Sequence, residues 1–357
     1  MQGQSITARI GIDWPIFQAP MAGVSTPAMA AAVSEAGGLG ALGIGASTPE
    51  QARKMIHATR ALTDKPFNIN VFCHRPAQAN AAVEAAWLDR LAPLFTRFDA
   101  APPQRLSEIY TSFCVDPAAQ QMLLNEAPPV VSFHFGLPDK ALIKGLKAKG
   151  AFLMATATSP DEGRAIQAAG IDAVVAQGWE AGGHRGIFDP EAEDLQQSTW
   201  DLTVALVAGL DIPVIAAGGL MTGGDIAHAL QLGASAAQLG TAFVGSDESQ
   251  ADQGYRDALA AAAEAGTHMT AAISGRSARC LVNGFTSWAE AQEGAQIPDY
   301  PIAYDAGKAL NAAAKSAGDA GFGAQWAGKG AARSRPMASG EMLRLLVQEM
   351  QVAQGQR

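Results

Sequence analysis

The chain has 357 residues, 48% hydrophobic and 17% charged, which suffices for one large domain or two ordinary ones and excludes global disorder. A net charge of −9 with no lysine or arginine block argues against a nucleic-acid surface. Three scattered cysteines (Cys73, Cys114, Cys280), no basic-then-apolar leader and no apolar run of ~18 residues point to a reduced, cytoplasmic setting with no membrane span.

Short apolar runs alternate with alanine-rich stretches through the first two thirds of the chain. Strands are expected over 16–19, 39–42, 67–71, 130–133, 152–155, 173–176, 214–217 and 236–239. Helices are expected over 27–36, 49–63, 77–91, 139–149, 160–169, 199–209 and 224–232. Thr26-Pro27, Thr48-Pro49 and Ser159-Pro160 each supply a capping hydroxyl followed by a first-turn proline. Continuously apolar strands fit a parallel sheet covered on both faces. The pattern predicts a (β/α)8 TIM barrel over 1–246 in preference to an open doubly wound sheet. A helical insertion is expected after the third strand, over about 92–128, because that gap exceeds one loop. Beyond Asp247 no strand is expected. Residues 247–357 read as a mostly helical flank, closing with an amphipathic segment over 340–351 and completing a substrate pocket on the barrel.

The literal GxGxxG at Gly38-Leu39-Gly40-Ala41-Leu42-Gly43 is rejected as a dinucleotide fingerprint. That fingerprint needs a strand before the glycines and a helix opening on them; here the order is reversed. Close helix–strand packing accounts for it. After the sixth strand comes Gln177-Gly178-Trp179-Glu180-Ala181-Gly182-Gly183-His184-Arg185-Gly186. Glycines let backbone approach a ligand, and a histidine suits proton chemistry near neutral pH. A flexible loop with an exposed histidine is the competing reading. Gly218-Gly219 follow the seventh strand, and Gln238-Leu239-Gly240-Thr241 end the eighth. The loops after these two strands of a barrel often hold phosphate on backbone N–H groups, which fits a phosphorylated cofactor such as FMN.

Asn70, His134, Gln177 and His184 fall at strand ends, where barrel active sites converge. Tyr300, Tyr304 and Lys308 sit at i, i+4 and i+8, one face of a helix able to hold a small anion. An exposed helix with a snorkelling lysine would produce the same spacing. His57, His74, His228 and His268 have no evident partners and read as structural or surface residues. Cys73 beside His74 lacks a third group to orient a nucleophile.

Together these segments resemble the nitronate monooxygenase family, formerly 2-nitropropane dioxygenases, in its bacterial class I. The resemblance spans nearly the whole chain, from Gln18-Ala19-Pro20-Met21-Ala22-Gly23-Val24 through Ser132-Phe133-His134-Phe135-Gly136 to the Tyr300, Tyr304 and Lys308 cluster. It implies non-covalent FMN contacted by Pro20, Met21, Ala22, Asn70, Gln177, Gly182, Gly218, Gly219, Gln238, Leu239, Gly240 and Thr241. It implies a catalytic His184, and a substrate pocket lined by Tyr110, His134, Tyr300, Tyr304 and Lys308. The implied reaction is oxidation of alkyl nitronates, such as propionate 3-nitronate, by O2 to a carbonyl compound and nitrite, which detoxifies nitro compounds. On this reading the protein is a monomer or homodimer. His184 would be a general base if neutral nitroalkanes are substrates; otherwise, protonated, it could bind the nitro oxygens. An NAD(P)H-dependent quinone or enoyl-thioester reductase of the same fold is the alternative, and a non-catalytic flavin-binding protein a further one.

Overall fold

The computed structural model describes residues 4–292 and 294–355. In chain order its first strands are β1 (Ile16–Gln18), β2 (Gly40–Gly43), β3 (Phe67–Phe72), β4 (Val130–His134), β5 (Phe152–Ala157) and β6 (Ala173–Gln177). There follow the two-residue β7 (Gly183–His184), then β8 (Val214–Ala217) and β9 (Ala236–Leu239). All but β7 form one parallel sheet in the order β1-β9-β8-β6-β5-β4-β3-β2. A parallel bridge between Phe17 and Leu39 joins its ends, with Gln18 N–H donating to the Leu39 carbonyl at 2.9 Å. The barrel therefore closes, and every expected strand is present within a residue or two.

Barrel strands bury both faces. Phe17, Leu39, Val130, Phe152, Met154, Val175 and Ile215 fill the interior, together with Ile6 and Ile10 of the short helix Ile6–Ile10. The outward strand faces pack under helices that start where the sequence places their caps. Thr26 Oγ1 accepts from Met29 N–H at 3.0 Å, and Thr48 and Gln51 form a reciprocal capping box. Gly40 marks the closest helix–strand approach: a Cβ there would drive into the backbone of Ala30. This is the packing role that the Gly38–Gly43 spacing suggested.

The insertion after β3 comprises the helix Ala81–Arg97, an irregular stretch, a 3-10 turn at Phe113–Val115 and the helix Pro117–Glu126. Trp87, Leu91 and Phe95 of its first helix share an apolar cluster with Ile302, Ala306 and Leu310 of the helix Ile302–Ser316. The C-terminal helix Ser339–Ala353 buries Leu343, Leu346 and Met350 against the barrel helices Pro27–Glu35 and Gly223–Gln231.

Three expectations need correction. The helix expected over 77–91 runs Ala81–Arg97. Tyr300 does not share a helix face with Tyr304 and Lys308, because that helix begins at Ile302, after Pro301. Strands do not stop at Asp247: β10 (Thr267–Thr270) and β11 (Ala278–Leu281) form an antiparallel ribbon, and β11 pairs with β7. These strands are only four residues long and lie among alanines and glycines, so no apolar alternation announces them. No described helix is long and apolar enough to cross a membrane.

Candidate active site

The segment after β6 is a braced structure rather than a flexible loop. Gly183 and His184 pair with Arg279 and Ala278 of β11, so the ribbon fixes the backbone that carries the histidine. Arg185 is 1% exposed; its Nε and Nη2 donate to Asp194 at 2.7 and 3.0 Å. Its Nη1 donates to the carbonyls of Gln177 and Gly178, both at 2.9 Å. Gln177 spends its amide on the same loop: Nε2 donates to the His184 carbonyl at 2.9 Å and Oε1 accepts from Gly186 N–H at 2.7 Å. One Gln177 N–H is left over for a ligand.

His184 stands in an aromatic nest. Its ring lies 5.7 Å from Phe135, 5.3 Å from Tyr300, 6.2 Å from Tyr304 and 5.0 Å from Trp326, between centroids. Phe135 reaches this position with φ +72°, a left-handed backbone that a bulky residue rarely adopts and that neighbouring contacts must hold. Its ring also meets His134 at 4.4 Å and carries the Arg276 guanidinium on one face at 4.2 Å. His134 Nδ1 contacts Thr156 Oγ1 at 3.0 Å, and its Nε2 lies 3.3 Å from the His184 carbonyl.

These surroundings disfavour the imidazolium form. Burial holds His184 down to about 3, helped by His134, Arg276 and His74. Burial likewise holds His134 at about 3 and His74 at about 4, with Arg276 the next contributor to both. His184 is therefore neutral at physiological pH, which argues against a fixed cationic anion-binder; its lone pair can accept a proton, although the same burial weakens it as a base. Burial raises the phenols of Tyr300 and Tyr304, so both remain hydrogen-bond donors.

Beside the histidine, the helix Ile302–Ser316 presents Tyr304 and Lys308 to the cavity. Lys308 Nζ sits over the Tyr110 ring at 4.8 Å and the Tyr304 ring at 5.5 Å. It forms no ion pair among the described residues, which leaves a cation free for a ligand. Tyr110 comes from the insertion after β3 and meets Tyr304 edge-on at 6.0 Å. The Tyr300 hydroxyl is buried and has no hydrogen-bond partner among the described residues.

One cavity of about 850 Å³ joins this wall to the ends of β1, β8 and β9. It is lined by Pro20, Met21, Ala22, Asn70, Gln177, Gly182, Gly218, Gly219, Gln238, Gly240 and Thr241, and by Tyr110, His134, His184, Tyr300, Tyr304 and Lys308. Of the sequence candidates only Leu239 lies elsewhere: its side chain is buried in the core and its carbonyl accepts from Ala19 N–H at 2.8 Å. The N–H groups of Gly219, Leu220, Gly240 and Thr241 donate to no group among the described residues. Thr241 Oγ1 accepts from Gly328 N–H at 3.0 Å, which leaves its own proton available to a ligand. The Asn70 amide nitrogen is held by Ser132, so its oxygen turns elsewhere. Gly182 lies against Ala327 and Gly328, where a Cβ would strike backbone.

Sequence reasoning missed Phe135 as the hub, Trp326, Ser274, Arg276 and the brace at Arg185. Phe135 and Arg185 stood inside quoted runs, but nothing local pointed to the others. The histidines set aside do have partners. His57 meets Glu126 at 3.0 Å, His268 meets Glu290 at 3.1 Å, His228 meets Trp200 edge-on, and His74 meets Tyr300 edge-on at 5.0 Å. Cys73 and Cys114 meet as well: a hydrogen bond with Cys73 pulls the Cys114 thiol down to about 7, while burial pushes Cys73 up.

A family model described as nitronate monooxygenase matches residues 4–349. The chain belongs to the nitronate monooxygenase family. A nitronate monooxygenase of Paraburkholderia phytofirmans is 58% identical over 341 residues, 96% of this chain and 93% of its own length. One of Pseudomonas aeruginosa is 53% identical over 344 residues, 96% of this chain and 98% of its own. Among solved structures, nitroalkane oxidase from Streptomyces ansochromogenes has a TM-score of 0.88 at 39% identity, over 99% of each chain. FabK from Thermotoga maritima has a TM-score of 0.76 at 30% identity, over 99% of this chain and 97% of its own. As a nitronate monooxygenase family member the protein is an enzyme, an oxidoreductase built on the closed barrel described above.

Proposed function

We propose that the protein binds FMN in the inner half of this cavity and oxidises alkyl nitronates with O2 to a carbonyl compound and nitrite. The donor set fits the cofactor. Unpartnered N–H groups of Gly219, Leu220, Gly240 and Thr241 would hold the phosphate, where backbone donors at strand ends favour an anion. Pro20, Met21, Ala22, Asn70, Gln177, Gly182 and Gln238 would line the ring. When bound, the flavin supplies the electron acceptor.

One observation carries the substrate assignment: a Lys308 ammonium with no ion pair among the described residues, set between two phenols in the cavity that a neutral His184 also lines. That ammonium, with phenol donors beside it, complements a small anion. Lys308 would bind the nitronate electrostatically, Tyr300 and Tyr304 would donate to its oxygens, and Phe135 and Trp326 would keep water from its carbon. With a neutral nitroalkane, His184 would take the α-proton first.

The test is nitrite release and O2 uptake by purified, flavin-loaded protein given propionate 3-nitronate without NADH. Both should proceed together; flavin bound with no turnover overturns the proposal. The cavity also runs beyond Lys308 to Asn311 and Lys315, room that a reductase taking a larger substrate would use. Rapid anaerobic bleaching of the flavin by NADH would select that second reading.

A further inference from the structure

His184 is held on one side only. Its Nε2 lies 2.9 Å from Ser274 Oγ, while its Nδ1 has no partner among the described residues and is not sealed from the cavity. Ser274 is 0% exposed, and its hydroxyl donates to the Arg276 carbonyl at 3.1 Å. A serine hydroxyl carries one proton. When that proton goes to Arg276, Ser274 Oγ is left to accept from His184, the arrangement in which the hydrogen sits on Nε2.

The turn that holds Ser274 is gripped on two sides. Gly275 has φ +89°, and a Cβ there would strike the backbone at Pro298 and Tyr300. Gly307 brings the helix Ile302–Ser316 against the Ile273 carbonyl, leaving no room for a side chain. Arg276 is pinned in turn, with Nη2 donating to the Ile187 carbonyl and its guanidinium over Phe135. The segments carrying Tyr300 and Lys308 thus locate the hydroxyl that orients the histidine.

We infer that Ser274 is a positioning residue that fixes His184 as the Nε2–H tautomer and aims the bare Nδ1 lone pair at the substrate α-carbon. This rests on His184 acting as base toward neutral nitroalkanes. In that step the α C–H bond breaks, its electron pair stays on the nitroalkane as nitronate, and the proton goes to Nδ1. Nε2–H keeps its bond to Ser274 throughout, so the serine need not reorganise. Preformed nitronate bypasses the step. The titratable and charged groups around His184 are His134, His74, Tyr300, Tyr304, Arg276 across Phe135 and Lys308 beyond Tyr304.

The experiment compares S274A and H184N, each flavin-loaded, on nitroethane and on its preformed nitronate. S274A should lower kcat/KM for nitroethane by about tenfold to a hundredfold, part of what a general base contributes. Its turnover of the nitronate should stay within about threefold of the parent. S274C, which keeps a weak acceptor, should fall between. An unchanged nitroethane-to-nitronate ratio in S274A, while H184N changes it, overturns the role of Ser274 alone; equal losses on both substrates in H184N overturn the base reading itself. Should S274A fail to load flavin, nitrogen-15 spectra of the parent's histidine side chains decide the matter. His184 protonated at Nε2 supports the inference, and protonated at Nδ1 refutes it.

Discussion

The two halves of the cavity are built by different means. At the ends of β8 and β9 the donors are backbone N–H groups of Gly219, Leu220, Gly240 and Thr241, placed directly by the strands that precede them. The facing wall is made of side chains from distant segments: Tyr110 from the insertion, His184 from β7, and Tyr300, Tyr304 and Lys308 from the C-terminal region. The first half asks only that the barrel close. The second depends on ribbon pairing, buried ion pairs and aromatic contacts, so it can be damaged while the barrel stands. Changes in the wall should alter substrate handling, and changes on the barrel's outside should alter stability alone.

The largest effect is expected where the wall is braced. Arg185→Ala would unpair the partly exposed Asp194 carboxylate and leave the buried Gln177 and Gly178 carbonyls without a donor, costing about 2–3 kcal/mol. Thermal unfolding would register this. A melting temperature unchanged within a degree would contradict the brace.

Lys308→Met comes next. It keeps the stem that packs on Tyr110 and Tyr304 but removes the charge. On the proposed function, kcat/KM for nitronate should fall roughly a hundredfold, the lower end for losing one donor to a developing or bound anion. Flavin affinity should stay unchanged. Loss of flavin instead would mean the two halves are not separable in this way.

Acid should weaken the wall before the rest. His74, His134 and His184 have folded-state values near 4, 3 and 3, below the ordinary 6.5. Unfolding therefore takes up protons below about pH 6.5, so stability is full above that pH and declines toward pH 3–4. Each histidine can contribute up to about 1.4 kcal/mol per pH unit in that window. Denaturant midpoints measured from pH 7 to 4.5 would reveal the slope, and His74→Phe should reduce it by about one proton.

The smallest effect lies outside the cavity. Thr48→Ala removes a capping box on the helix Pro49–Arg60 and should cost about 1 kcal/mol with kcat/KM unaltered. Altered kinetics there would blur the distinction between scaffold and wall.

The same division explains what could be read from the sequence. The eight barrel strands were legible because each is a short, mostly apolar run between helical stretches, and Thr26, Thr48 and Ser159 announce the helices that follow them. Capping and burial patterns are local, and so are the glycines at Gly218, Gly219 and Gly240. The resemblance of the Tyr300 to Lys308 segment supplied candidates that spacing alone left open between pocket and exposed helix. The ribbon stayed hidden because β7 is two residues long and pairs with residues more than ninety positions away. Ser274, Arg276 and Trp326 carry no local signature at all. Gln177 was read as free to face a ligand, since nothing in sequence tells that the His184 carbonyl and Gly186 N–H engage its amide.

The most direct test of the account is the pair of rate constants for His184→Asn on a neutral nitroalkane and on the corresponding nitronate. A neutral histidine acting only as base predicts that kcat/KM for the nitroalkane falls about a hundredfold to ten-thousandfold while the nitronate value changes little. Equal losses on both substrates would contradict it and return His184 to the role of an anion-binding group.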